Sequence, residues 1–300
     1  MNSHPLSFDK LQDVLNGLIV NDSYLASPIY YLMTGRRGGQ IFEIDKDSCV
    51  ISVNHPNKNN SIVLFPKLSR TVNTIYELEE VLKIAMFIRE HTTTCREIMV
   101  GRVPQDIKSF YSTRLIEEQV LDWRYPVQIL GTGKVSALYG KEFQQVRQRI
   151  NNLNVEKCQI ERIDIKNHVN LIKEMSLDWA KDFPYDSYSS SDLISPIVKL
   201  AELMAKQTDS LFGHLIYYCG QPAAFCIWEQ QKKTANAFAM NARRSIPGLA
   251  EYNILQMCRH LSSIGIDTVN WGGSESDGLN RFKKKFAPTK SIFLKTLIIE

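Results

Sequence analysis

The chain has 300 residues, 44% of them hydrophobic and 23% charged, with a net charge of +4. That is the balance of a soluble globular protein with one large core or two ordinary ones. It excludes a disordered or fibrous chain, and no segment reaches the roughly 18 consecutive apolar residues of a membrane span. The opening Met1-Asn2-Ser3-His4-Pro5 lacks the basic-then-apolar plan of an export signal, so a cytoplasmic location is expected. The six cysteines are scattered without a C-x-x-C pair, which suits buried free thiols rather than a metal site.

In chain order, Ile41–Ile44 and Cys49–Val53 read as a hairpin joined by Asp45-Lys46-Asp47-Ser48. A strand follows at Ser61–Pro66, then a helix over about 76–89 with Leu78, Val81, Leu82, Ala85 and Ile88 on one face. Tyr125–Leu130 reads as another strand, broken by Gly131-Thr132-Gly133. The spacing of Phe143, Val146, Ile150 and Leu153 predicts a connector helix over 141–153. Next come a strand at Gln159–Asp164 and helices near 168–180 and 192–206. A hairpin of Phe212–Cys219 and Ala223–Glu229 turns on Gly220-Gln221-Pro222. Thr234–Met240 is a further strand. The helix over about 251–264 presents Ile254, Met257, Cys258, Leu261 and Ile264 on one face and is closed by Gly265. The strand Ile266–Trp271 runs into Gly272-Gly273. A helix then begins a segment, Arg281 to Lys295, that carries several basic residues and no acidic one. The last predicted strand is Ile292–Ile298.

The chain is therefore a mixed α/β (α+β) protein. Two helices, a three-strand meander, helix, strand, helix and strand form the order of a GNAT-type acyltransferase fold, and a weaker version occurs in the first half. Two tandem GNAT-like domains are expected, each a mixed, mostly antiparallel sheet flanked by helices: 1–135, and 136–300 with the connector helix.

Two segments carry a family resemblance. Gly278-Leu279-Asn280-Arg281-Phe282-Lys283-Lys284-Lys285-Phe286 resembles the G-L-x-x-F-K-x-x-F helix that ends the second domain of Fem-type peptidyltransferases. Gly140-Lys141 through Arg147 to Ile150-Asn151 is similar to the G-K-x-x-x-x-x-R-x-x-I-N signature of the C-terminal domain of phosphatidylglycerol lysyltransferases. The likeness covers about residues 125–300.

The resemblance implies a soluble aminoacyltransferase that uses charged tRNA as co-substrate and a small-molecule or peptide acceptor, with no bound cofactor and no metal. Lys283 would steady the tetrahedral intermediate while Phe282 fixes its helix. Successive helical residues stand roughly 100° apart, so Lys284 and Lys285 cannot share that orientation. Lys141, Arg147, Arg149 and Arg281 would meet tRNA phosphates. Asn270, Gly272 and Gly273 would bring backbone close to the substrate, and Asp277 would help start the helix. Asp186, in a polar loop with Tyr185 and Tyr188, would meet the acceptor amine.

Two other readings stand beside this one: a coenzyme-A-dependent N-acyltransferase, and a tandem protein that only binds an anion. For the former, Arg244-Ser245-Ile246-Pro247-Gly248-Leu249-Ala250 occupies the pyrophosphate-loop position. It is one residue too long, and Pro247 removes an amide donor, but a loop of this shape, with Arg244, could still accept an anionic group such as the adenosine end of tRNA.

Overall fold

A computed structural model describes residues 2–18, 22–56, 58–70, 78–92, 97–104, 113–116, 125–181, 190–206, 210–274 and 276–299. The elements of the first half are β1 (Asn2–Pro5), α1 (Phe8–Leu15), α2 (Pro28–Thr34), β2 (Gly39–Asp45), β3 (Ser48–Asn54), β4 (Ser61–Leu64), β5 (Leu68–Ser69), α3 (Leu78–His91), β6 (Glu97–Pro104) and β7 (Thr113–Ile116). Then come β8 (Val127–Gly131), α4 (Thr132–Ala137), a 3-10 turn at Lys141–Phe143, α5 (Gln144–Asn151), β9 (Cys158–Arg162), α6 (Ile165–Lys181) and α7 (Ser190–Lys206). The remainder is β10 (Leu211–Tyr218), β11 (Gln221–Gln231), β12 (Thr234–Ala242), α8 (Leu249–Ser263), β13 (Thr268–Asn270), α9 (Asp277–Lys284), β14 (Lys290–Ile292) and β15 (Leu294–Ile299).

The chain divides into two compact units: Met1–Pro126 with Gly273–Glu275 and Ile292–Glu300, and Val127–Gly272 with Ser276–Ser291. Each holds one mixed sheet, and the strand orders match. The first runs β1-β2-β3-β4-β6-β15-β7, with β5 on β3; the second runs β9-β10-β11-β12-β13-β8-β14. In both, an antiparallel meander is followed by one parallel pair, β4 with β6 and β12 with β13. The helices enter at corresponding points, so the tandem expectation describes the architecture.

The boundary expected at 135/136 needs correction in two places. The strand over 127–131 pairs antiparallel with β13 and belongs to the second sheet. The last strand pairs antiparallel with β6 and belongs to the first. Each unit thus receives its sixth strand from outside its own stretch of chain. Pairing between strands distant in sequence leaves no trace in local periodicity.

Apolar periodicity explains the cores. In the first unit Val81, Ile84 and Ala85 of α3 pack on Val50, Leu64, Ile98, Val100 and Leu297. In the second, Ile254, Met257, Cys258 and Leu261 of α8 pack on Cys226 and Trp228 of β11 and Ala235 and Ala237 of β12. Phe143, Val146, Trp271 and Phe286 join the same cluster. Ile264 departs from expectation: α8 ends at Ser263, and Ile264 is 48% exposed. Among the described residues no helix is long and apolar enough to cross a membrane.

Candidate functional site

The strands β12 and β13 pair over only three positions, Thr234–Asn236 with Thr268–Asn270. β12 continues to Ala242, whereas the chain after Asn270 turns away. Asn270, 2% exposed, closes that turn by accepting a hydrogen bond from the Gly272 amide on its Oδ1, at 3.1 Å. Gly272 adopts φ +65, a conformation open to glycine at little cost. Gly273 is buried.

Lys283 anchors the same turn. Ser276 caps α9 by accepting from the Leu279 amide at 3.2 Å, a role expected of Asp277. Asp277 instead pairs with Arg281 across one exposed helical turn at 3.0 Å. From that start, the helix directs Asn280 and Lys283 inward. Lys283 is 5% exposed; its Nζ donates to the carbonyls of Trp271 at 2.6 Å and Gly272 at 3.3 Å, and lies 5.5 Å from the Trp271 ring centroid. Phe282 meets Trp271 and Phe286 edge-on, at 5.9 and 5.6 Å, and so fixes the rotation of the helix. Of the adjacent lysines, Lys284 is exposed and Lys285 pairs with Glu251 at 3.6 Å. A buried ammonium is stable only where polar groups replace its water; here backbone carbonyls and an aromatic face do so.

The other predicted cations are differently placed. Arg147 donates through Nη1 to the carbonyls of Leu138 and Gly140. Those residues form the left-handed bend between α4 and the 3-10 turn, with φ of 48 and 107. The guanidinium therefore closes its own connector through Nη1. Lys141 and Arg149 are exposed. The backbone of Arg149 lies against the start of α8: a Cβ at Gly248, whose φ is +83, would collide with the Arg149 carbonyl. This brings α5 beside the Arg244 loop. Asp186, Tyr185 and Tyr188 lie outside the described residues.

A cavity of about 250 Å³ opens between α6 and the end of β12, lined among others by Met175, Trp179, Asn241, Arg243 and Arg244. The Arg244 guanidinium sits 5.8 Å from the Trp179 ring centroid. Asn241 is 5% exposed, and neither atom of its amide has a hydrogen-bond partner. Met240 packs toward α8, so by strand alternation Asn241 faces the α6 side. A buried amide left unsatisfied costs about 1–3 kcal/mol, and such groups in native proteins point to a ligand or ordered water.

The sheet also carries a buried polar row, of which the sequence singled out Asn270 but not Glu229 or Asn236. Glu229 opposes Asn236, and Asn236 opposes Asn270. All three are buried, at 3%, 0% and 2% exposure. Glu229 accepts from Asn236 Nδ2 at 3.1 Å and from Gln231 Nε2 at 2.9 Å. The signal in the sequence was a charged or amide residue within each of three apolar strands.

No protein-family model matches the chain, and no curated protein matches it. Solved structures share its fold over the full length. A conserved protein of unknown function from Bacteroides thetaiotaomicron has 13% identity, 100% coverage of both chains and a TM-score of 0.75. L-PGS from Bacillus licheniformis has 13% identity, covers 99% of this chain and 93% of its own, and has a TM-score of 0.63. A tandem GNAT protein from the clavulanic acid biosynthesis pathway has 8% identity, coverage of 99% and 97%, and a TM-score of 0.53. The fold is that of tandem GNAT-like domains.

Proposed function

We propose that the chain is an aminoacyltransferase that moves an aminoacyl group from charged tRNA to an amine or hydroxyl of a small molecule or peptide. The observation that carries this reading is Lys283, the lysine of the F-K pair, buried beneath the turn where β13 leaves β12. In the proposed reaction the acceptor attacks the ester carbonyl. The tetrahedral oxyanion then collapses, and the ester oxygen of the tRNA leaves as a ribose hydroxyl, taking up the proton that the acceptor gives up. The ester is already activated, so positioning and charge stabilisation supply the catalysis. A fixed ammonium in a site of low dielectric stabilises the developing negative charge more than water does.

The α6-side cavity fits the nucleotide end of such a donor. A carboxamide pairs in bidentate fashion with the N6 and N7 edge of adenine, and Asn241 holds both complementary atoms without a partner. Trp179 offers a stacking face, and Arg243 and Arg244 offer charge for phosphate. Coenzyme A is less well served. Glu251 places a buried carboxylate in the first turn of α8, where the pyrophosphate would rest, and Pro247 lacks an amide.

The test is transfer of labelled amino acids from a fully charged tRNA pool, with acetyl-coenzyme A as the competing donor. The reading expects loss of label from tRNA into an acceptor, and little product in Lys283→Met. Acyl transfer from coenzyme A alone would overturn it in favour of the second donor. Binding of tRNA without transfer of any amino acid would overturn it in favour of an anion-binding role.

A further inference from the structure

A larger cavity, about 580 Å³, lies on the α8 side of the second sheet, between α8 and the edge strand β9. It exists because α8 covers β11 and β12 but stops short of the edge, and because Ile264, beyond the helix end, leaves the core. Its size is that of sites for small organic ligands. The floor is aromatic, formed by Phe212 and Trp228, and the apolar side chains Ile160 and Ile264 stand at the rim, 43% and 48% exposed. Two exposed arginines, Arg162 and Arg259, line it, and none of its lining residues is acidic. The Arg162 guanidinium lies over the Phe212 ring at 5.6 Å, which restricts where its charge is presented.

One feature of the floor itself points to a ligand. Trp228 is 2% exposed, and its indole N–H has no hydrogen-bond partner. Tryptophan N–H groups are normally satisfied when buried. The two imidazoles beside it, His214 and His260, each 5.6 Å from its ring centroid, are held by burial toward their neutral forms. The fixed charge lining the cleft comes from its two arginines, and the planar fork of a guanidinium suits a carboxylate.

We infer that this cleft binds a small aromatic acid, its ring on the Phe212–Trp228 floor and its carboxylate between Arg162 and Arg259. The inference is independent of the proposed transferase activity. The probes are salicylate, its neutral relative salicylamide, and adenosine monophosphate, followed by the indole N–H resonances of the four tryptophans. Salicylate is expected to shift one indole resonance saturably, and that resonance is expected to be absent in Trp228→Phe. Arg162→Gln and Arg259→Gln, both at exposed positions, are each expected to weaken binding roughly tenfold or more. Salicylamide is expected to bind correspondingly less well, and Arg244→Gln to leave salicylate affinity unchanged. The inference fails if salicylate gives no saturable shift at millimolar concentration, or if salicylamide binds as well as salicylate. It fails too if the arginine substitutions leave affinity intact, or if adenosine monophosphate occupies the cleft where salicylate does not.

Discussion

The two units share one strand order, yet they treat buried polarity in different ways. In the first unit Arg102 has a side chain only 4% exposed, and it is neutralised on the spot. Its Nε donates to Asp22 at 2.6 Å, its Nη2 reaches the same oxygen, and the Tyr24 and Tyr30 rings lie 5.3 and 5.4 Å from the guanidinium. Around it Tyr30, Tyr31 and Phe65 pack edge to face. In the second unit the buried ammonium of Lys283 sits on carbonyls of a turn, while Asn241 and Trp228 carry polar atoms without partners beside cavities. In the first unit the buried charge is met by an opposite charge, whereas in the second the polar atoms of Asn241 and Trp228 that have no hydrogen-bond partner stand beside cavities.

The comparison is broken most directly at its two buried cations. Arg102→Met removes the charge partner of Asp22 and the guanidinium that lies over the Tyr24 and Tyr30 rings, and is expected to destabilise the first unit by about 3–5 kcal/mol. Denaturant titration measures this, and aminoacyl transfer per folded molecule is expected to hold near its original rate. Lys283→Met is expected to show the reverse emphasis. Transfer falls roughly 10²–10³-fold, as for loss of a transition-state donor, while stability falls by only about 1–3 kcal/mol as two carbonyls lose their donor. A Lys283→Met protein that loses stability but keeps its transfer rate would make the lysine a clamp on the turn and nothing more.

Acid tests whether the units respond alike where their chemistry is alike. Each buries an imidazole with a lowered pKa: His55 in the first and His214 in the second, both depressed to about 4 chiefly by desolvation. The unfolded chain binds a proton on each near pH 6.5, and the folded chain only near pH 4. Between those values the unfolded state holds more protons, so stability is full above about pH 6.5 and falls as pH drops toward 4. Each site contributes at most about 3 kcal/mol to that loss. Melting curves across this window are expected to lose part of their slope in His55→Gln and another part in His214→Gln. A curve unchanged by either substitution would place the imidazole's protonation elsewhere.

Asn241→Leu sharpens the contrast from the other side. Removing an unsatisfied amide in favour of an apolar side chain of similar size is expected to stabilise the second unit by about 1 kcal/mol. The same substitution is expected to weaken tRNA binding. A loss of stability would mean that the amide is satisfied in the folded chain, which would withdraw it from the cavity's chemistry.

Much of this was legible in the sequence because local periodicity reports local burial. The stripe Ile254, Met257, Cys258 and Leu261 faces the core as its spacing predicts, and the first hairpin turns within its expected polar stretch, whereas the second turns on Cys219-Gly220, with Gln221 and Pro222 already paired in β11. The exchange of β8 and β15 was not legible, because strand partners chosen across the chain are a property of topology, not of pattern. Arg147 read as a phosphate-binding cation; its acceptors, the carbonyls of Leu138 and Gly140, stand at a left-handed bend that Gly140 signals but Leu138 does not. Lys283 could be singled out by a motif, but a run of three lysines has no internal mark of which one turns inward. That choice comes from the Ser276 cap and the Phe282 and Phe286 anchors, which set the helix rotation.

The smallest expected effect concerns how the second unit meets a polyanion. Arg244 is exposed, is held over Trp179 and lies at the mouth of the α6-side cavity. If it contacts one phosphate, Arg244→Gln removes one released counterion. The slope of log affinity for tRNA against log salt should then fall by about 1, with a modest loss of affinity at any single salt concentration. Arg147→Gln distinguishes this from a general loss of positive charge. Its guanidinium is engaged by two carbonyls, so the substitution should lower stability while leaving the salt slope where it was. If both substitutions change the slope equally, tRNA is sensing the net charge of the unit rather than a site, and Arg244 has no special claim on the phosphate.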